Sequence, residues 1–423
     1  MNNVAHSGTQ TPKVELDGHP EGDAAVKASR LFDNRDPGNL VSGLGFLTDL
    51  HPTILVLAGE ASGDLHAAKL VAELKSRMPA ARFLGMGGSC MRAQGVELFA
   101  ELDTLAVMGL SEVLSRIPHF WKLHRKVVAA IDSESPDLVI LVDYSGFNLK
   151  IARAAYERGC AVLYYIAPKS WAWNERRAQT LAAVTHRVAA ILPFEADRLK
   201  EHGVNVEYVG HPLLDHSVDI ASREESFRSW GLDPQRPLLG ILPGSREQEI
   251  ERHLRTFSAS AQVVVERRPD VQVLISQAPG LDDSHFQGAC FPIVRQTPAL
   301  QRWSDAILVK SGTSTLEVAL ERTPLLIAYR TSWLTGVVAK RLLRTQHIGL
   351  PNLVLQEQVV PEVIQEEVTP EVIAPLLLEL LDTSSARRSE QIRNLDRVVR
   401  SLGPPGASSR VAQMAVSLLG WEP

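Results

Sequence analysis

Residues 53–75 read TILVLAGEASGDLHAAKLVAELK. An apolar, β-branched run passes through a glycine-bearing turn into residues with helical apolar spacing, the strand–loop–helix unit of a parallel sheet. The turn carries neither G-x-G-x-x-G nor G-x-x-x-x-G-K-[ST], so the unit lacks both common phosphate fingerprints. The layout recurs along the chain. Strands are predicted at 54–58, 82–86, 138–142, 161–166, 187–192 and 207–209. A second series follows at 238–242, 271–276, 291–294, 306–309 and 325–329. Short apolar strands alternating with amphipathic helices predict parallel sheets covered on both faces. The expected fold class is α/β: two Rossmann-like domains facing a cleft, divided near 215–231. Residues 1–50 are polar and rich in acidic residues, and are predicted to be a disordered tail. The domains are predicted at 51–214 and 215–385, with helices over 386–423 packing back on the first domain.

Bulk properties narrow the function. The net charge of -5 gives no general attraction to nucleic acid. The three cysteines, Cys90, Cys160 and Cys290, show no metal or redox spacing and read as free thiols of a reducing cytosol. No apolar run is long enough to span a bilayer, and the first 30 residues contain no signal-peptide core. The chain is expected to be soluble or to touch a membrane from the side.

The first half offers carboxylates. Gly59, Glu60, Ser62, Gly63 and Asp64 lie in the opening loop, beyond the carboxyl end of a strand, where open α/β sheets bind ligands. Glu60 and Asp64 oppose a phosphate but suit sugar hydroxyls; Ser62 or Asp64 reads equally as a helix cap. Asp143, in DLVILVDYSGFN, stands at a strand tip, as a general base or as a cap for the following helix. Trp171 and Trp173, on the loop after Pro168, suit a sugar face or simple packing of the loop.

The second half offers anion donors. LPGSR places Gly244, Ser245 and Arg246 after a strand, a set suited to a diphosphate or, for Arg246, to a structural ion pair. Lys310, Ser311, Gly312, Thr313, Ser314 and Thr315 open another helix, with Glu317 one turn in, placed for ribose hydroxyls or for the helix dipole. The division suits a nucleotide-sugar in the second domain and an acceptor alcohol in the first. No Asp-x-Asp triplet is present to hold a divalent ion on a diphosphate, so no metal or other cofactor is expected. Two stretches, SEVLSRIPHFWKLHRKVV and WLTGVVAKRLLR, mix apolar, tryptophan and basic residues. That profile fits an interfacial helix, or an ordinary buried helix with a charged edge.

The segments AGEASGD, AVMGLSEVL, DYSGFN, WAW, LPFE, VGHPL, LPGSR, SGTSTLE, AKRLL, LPNL and QEE occur in this order. In that set, the chain from about residue 53 to its end resembles the lipid-A-disaccharide synthase family. The resemblance implies a GT-B glycosyltransferase fold whose C-terminal part is exchanged in a homodimer. It implies transfer of 2,3-diacylglucosamine from UDP-2,3-diacylglucosamine to 2,3-diacylglucosamine 1-phosphate, giving a β-1,6-linked disaccharide 1-phosphate and UDP. It places the base at Asp143, the diphosphate arginine at Arg246 and an active-region asparagine at Asn352. It also implies that Leu110, Val113, Leu114, Ile117, Phe120 and Trp121 belong to an apolar patch on the cytoplasmic face of the inner membrane. Lys169, Asn174, Glu175 and Lys310 depart from the family pattern. The rival readings are another GT-B enzyme acting on UDP-N-acetylglucosamine (a muramyl-lipid transferase or a 2-epimerase) and a catalytically silent lipid- or nucleotide-binding relative.

Overall fold

The computed structural model describes residues 51–101, 113–168, 175–215, 219–331 and 347–420, with the backbone alone for 113–119 and 175. All of them lie in one unit, Leu50–Pro423. The predicted tail at 1–50 lies outside the described residues.

Thirteen strands are described, in two sheets. The first holds β1 (Thr53–Ala58), β2 (Arg82–Gly87), β3 (Glu97–Glu101), β4 (Leu138–Val142), β5 (Ala161–Tyr165), β6 (Arg187–Ala190) and β7 (Val206–Tyr208), in the order β3-β2-β1-β4-β5-β6-β7. The second holds β8 (Leu238–Leu242), β9 (Gln272–Ser276), β10 (Ile293–Val294), β11 (Ala306–Lys310), β12 (Leu325–Tyr329) and β13 (Glu362–Ile364), in the order β10-β9-β8-β11-β12-β13. Every pairing is parallel. Side chains of a strand alternate between faces, and each face here has its own core. Leu55 and Leu57 enter one apolar cluster while Ile54, Val56 and Ala58 enter the opposite one. Leu238 and Leu242 face away from Leu239 and Ile241 in the same way. Each such fully buried aliphatic side chain contributes about 1.5–3 kcal/mol, which is why these runs read as nearly unbroken hydrophobic sequence.

Strands β3 and β13 fall outside the predicted set. Both lie at a sheet edge, and both carry glutamates, an ordinary way to blunt an exposed edge. The C-terminal helices also divide differently from the expectation. Helix Ala386–Ser401 packs on the second sheet, with Leu395 and Val398 in its core and the Gln391 amide bonded to both backbone groups of Leu325. Only helix Ala407–Leu418 crosses back, burying Val411, Ala412 and Ala415 against the first sheet. The Asp215 carboxylate accepts the Gly406, Ala407 and Ser408 N–H groups and so caps that helix from the linker between the sheets.

Candidate active site

The strand order reverses between β1 and β4 in the first sheet and between β8 and β11 in the second. Ligands of open α/β sheets bind beyond the carboxyl ends of strands at such reversals. The loops after these four strands hold Glu60, Asp143, Arg246 and Ser311. The two reversals face each other: Arg246 Nη2 donates to Glu60 Oε2 at 3.4 Å, joining the loop after β8 to the loop after β1. The side chains remain 63% and 44% exposed, so the pair is open to an incoming ligand.

On the first side, Asp143 and Tyr144 both adopt left-handed backbone, φ 50° and 49°. Each costs about 1–3 kcal/mol in a non-glycine residue. Backbone bonds hold the turn: Asp143 N–H donates to Tyr165 O, while the Asp143 carbonyl accepts from Asn148 Nδ2 at 2.9 Å and from the buried Tyr164 hydroxyl at 2.7 Å. Helix Ser145–Tyr156 starts at Tyr144, whose side chain makes no capping bond. A Cβ on Gly59 would stand 2.2 Å from the Tyr144 ring, so this glycine clears space for the tyrosine. Burial, then the Glu60 charge, pushes the Tyr144 hydroxyl up to about 12. Ser62 is exposed in the first turn of helix Ala61–Arg77. At Gly63, which is buried, a Cβ would make ordinary contact with Ala58 and the Val142 carbonyl.

On the second side, Arg246 is the first flanking residue of helix Glu247–Arg267. Behind it lies a residue the sequence reading did not single out. Glu249, 12% exposed, accepts Ser245 N–H at 2.9 Å on Oε2 and Lys310 Nζ at 2.7 Å on Oε1; Arg246 Nη1 is 3.9 Å from the same Oε1. Burial raises the Glu249 carboxyl, but Lys310, Ser245 N–H and Arg246 outweigh it and bring it below its usual range. Its only signal in the sequence was an acidic residue in a helix's first turn. One turn on, His253 is buried; its Nδ1 meets Glu249 O at 2.7 Å, and Arg330 N–H donates to its Nε2 at 3.0 Å. Beyond β11, Ser311 Oγ donates to Ile348 O, and helix Thr313–Leu320 begins after Gly312 with Thr313 exposed and Ser314 half-buried. Glu317 accepts from Gln301 Nε2 at 2.9 Å.

Several expected ligand-binding side chains are instead committed to the fold. The Asp64 carboxylate is buried and accepts N–H groups from Gly88, Cys90 and Met91, capping helix Ser89–Ala93. The Thr315 hydroxyl is buried and donates to Gly312 O. Asn352 is fully buried: its amide donates to Val360 O and Glu362 Oε1 and accepts from Val359 and Val360 N–H. It locks the start of helix Leu350–Leu355 to β13 rather than presenting an amide to a ligand. On helix Val113–Glu134, Phe120 packs against the first domain's core, whereas Trp121 is exposed with Lys150 Nζ 5.9 Å from its ring centre. Val113, Leu114 and Ile117 lie on the same helix. Trp171, Trp173, Leu110 and the stretch beginning at Trp333 lie outside the described residues. Among the described residues, no helix is long and apolar enough to cross a membrane.

The family described as lipid-A-disaccharide synthetase matches residues 54–415. A relative named lipid-A-disaccharide synthase from Syntrophus aciditrophicus (strain SB) is 40% identical over 374 residues, covering 86% of this chain and 97% of its own length. Another, from Myxococcus xanthus (strain DK1622), is 40% identical over 378 residues, covering 87% and 98%. Among solved structures, UDP-GlcNAc 2-epimerase from Neisseria meningitidis bound to UDP-GlcNAc aligns with TM-score 0.62 at 13% identity, over 86% of this chain and 100% of that one. A glycotransferase of kitacinnamycin aligns with TM-score 0.58 at 13% identity, over 88% and 100%. At such identities these structures establish the two-domain GT-B fold and nothing finer.

Proposed function

The chain belongs to the lipid-A-disaccharide synthase family, a glycosyltransferase family, and from that premise we propose how its residues divide the reaction. The donor is UDP-2,3-diacylglucosamine and the acceptor 2,3-diacylglucosamine 1-phosphate. The acceptor 6-hydroxyl gives its proton to Asp143 as its oxygen attacks the anomeric carbon. The new C–O bond forms as the bond to the β-phosphate oxygen breaks, with inversion, and UDP leaves. Arg246, Lys310 and the helix start at Thr313–Ser314 stabilise the charge that develops on the departing diphosphate. Glu317 holds the ribose, and Glu60 turns to the sugars once the diphosphate takes its place on Arg246. The active-region asparagine acts through the fold: Asn352 positions the segment beside Ser311.

The observation that carries this reading is the approach of Arg246 to Glu60. It brings the loop proposed to receive the diphosphate opposite a carboxylate-bearing loop, each at its sheet's reversal point. A 2-epimerase works on one nucleotide-sugar and gives no reason for an acceptor site; the family match favours the transferase. The Trp121 face of helix Val113–Glu134 is proposed to rest on the cytoplasmic face of the inner membrane. A homodimer with exchanged C-terminal parts would place helix Ala407–Leu418 on the partner's first domain. Mass spectrometry of the purified protein with both lipid substrates, detergent and EDTA tests the reaction. A tetra-acyl disaccharide 1-phosphate plus UDP is expected. Absence of product with UDP binding intact would contradict the assignment of donor or acceptor; product only after magnesium is restored would contradict transfer without a metal.

A further inference from the structure

A carboxylate buried behind a loop meant for a diphosphate is, on charge alone, in the wrong place. Glu249 occupies that position, and the backbone is shaped around it. Gly244 has φ 146°, and a Cβ there would come within 2.5 Å of Glu249 Cβ and 2.8 Å of its Oε2. The glycine of the PGSR loop therefore makes room for this acid. The two carboxylate oxygens do different work: Oε2 fixes the Ser245 N–H, and Oε1 fixes the Lys310 ammonium and stands near the Arg246 guanidinium. These donors come from the loop after β8 and from the end of β11. The next helical turn is tied to the end of β12, through His253 and the Arg330 N–H. Lys310, 15% exposed, also lies 5.9 Å from the centre of the Tyr329 ring. Its ammonium is thus held by the Glu249 carboxylate and also lies over an aromatic face.

We propose that Glu249 is a positioning residue for the transfer reaction: it holds Lys310, Ser245 N–H and Arg246 in the arrangement that meets the departing diphosphate. The proposal rests on the donor site assigned above. Glu249 touches neither substrate nor reacting atoms. It lets two cations and an N–H group wait at one place without mutual repulsion, so that little reorganisation remains when charge develops on the leaving group.

The test is a double-mutant cycle on the full chain with Glu249→Gln, Lys310→Met and the pair. UDP affinity is measured by calorimetry, and kcat and KM by turnover. Lys310→Met is expected to weaken UDP roughly tenfold when Glu249 is present and less than about threefold in the Gln background. Glu249→Gln alone is expected to lower kcat roughly tenfold or more while KM for the UDP-sugar moves less than about threefold. If the Gln variant does not fold by circular dichroism, Glu249→Asp replaces it. One methylene shorter, it cannot reach Ser245 and Lys310 together, and the same loss of kcat is expected. An equal effect of Lys310→Met in both backgrounds, or a kcat within about twofold of the parent's in a folded Glu249 variant, would overturn the proposal. A purely structural role would lower the melting temperature and leave kcat per folded molecule unchanged. If the parent protein makes no disaccharide, the reaction assignment fails on its own, and the UDP cycle still judges Glu249.

Discussion

At Gly59 the chain has no side chain because the Tyr144 ring stands where a Cβ would go. In sequence, this glycine looks like one that lets a ligand approach the backbone; in space its neighbour is another residue, from the loop after β4. Gly59→Ala would push the ring, and with it the left-handed pair Asp143–Tyr144. It is expected to cost about 1–3 kcal/mol of stability and to lower kcat more than KM for the UDP-sugar, as measured by thermal melting and steady-state kinetics. Unchanged kcat would mean that the Tyr144 ring does not support Asp143. The strand-end placement of Asp143 and Arg246 was legible at this scale because each follows a five-residue apolar strand that can only be buried. Asp64, Thr315 and Asn352 were not. Their polar atoms are used by backbone groups, and most of those partners belong to other elements, which local spacing does not reveal. Glu249 was missed for the opposite reason, since an acid in a helix's first turn has an ordinary explanation in the helix dipole.

Elements buried on both faces could be read from hydrophobicity, and β4, β8 and β12 coincide with their predicted residues. The edge strands β3 and β13 could not, because half-exposed residues dilute the apolar signal. Helix Glu247–Arg267 is tied to the end of β12 through one buried imidazole. Burial lowers His253 from its ordinary 6.5 to about 4, so the fold holds it neutral. Because the folded value lies below the unfolded one, its contribution is complete above about pH 6.5 and is lost progressively as the pH falls toward 4. The loss amounts to roughly 3 kcal/mol at full protonation. Urea unfolding between pH 7 and 4 is expected to show this decline in the parent protein and a shallower one in His253→Gln. Parallel declines would show that His253 does not titrate with unfolding.

Across the whole molecule, the two sheets bring their reversal points together, and among the described residues an exposed ion pair, Glu60 to Arg246, joins them. An exposed pair of this kind is worth about 0–1 kcal/mol, so a diphosphate can displace it easily. The two-domain plan followed from the repeated strand–loop–helix pattern. The Glu60–Arg246 contact did not, because it joins loops 186 residues apart, which local spacing does not reveal. In the proposed reaction the phosphates bind on one side of this cleft and the base works from the other. Calorimetry of UDP binding, paired with turnover, for Asp143→Asn and Arg246→Ala tests it most directly. Asp143→Asn is expected to bind UDP within about twofold of the parent protein and to lose at least about a hundredfold in kcat, while Arg246→Ala is expected to lose UDP affinity by roughly tenfold or more. Weakened UDP binding in Asp143→Asn, or undiminished binding in Arg246→Ala, would contradict it.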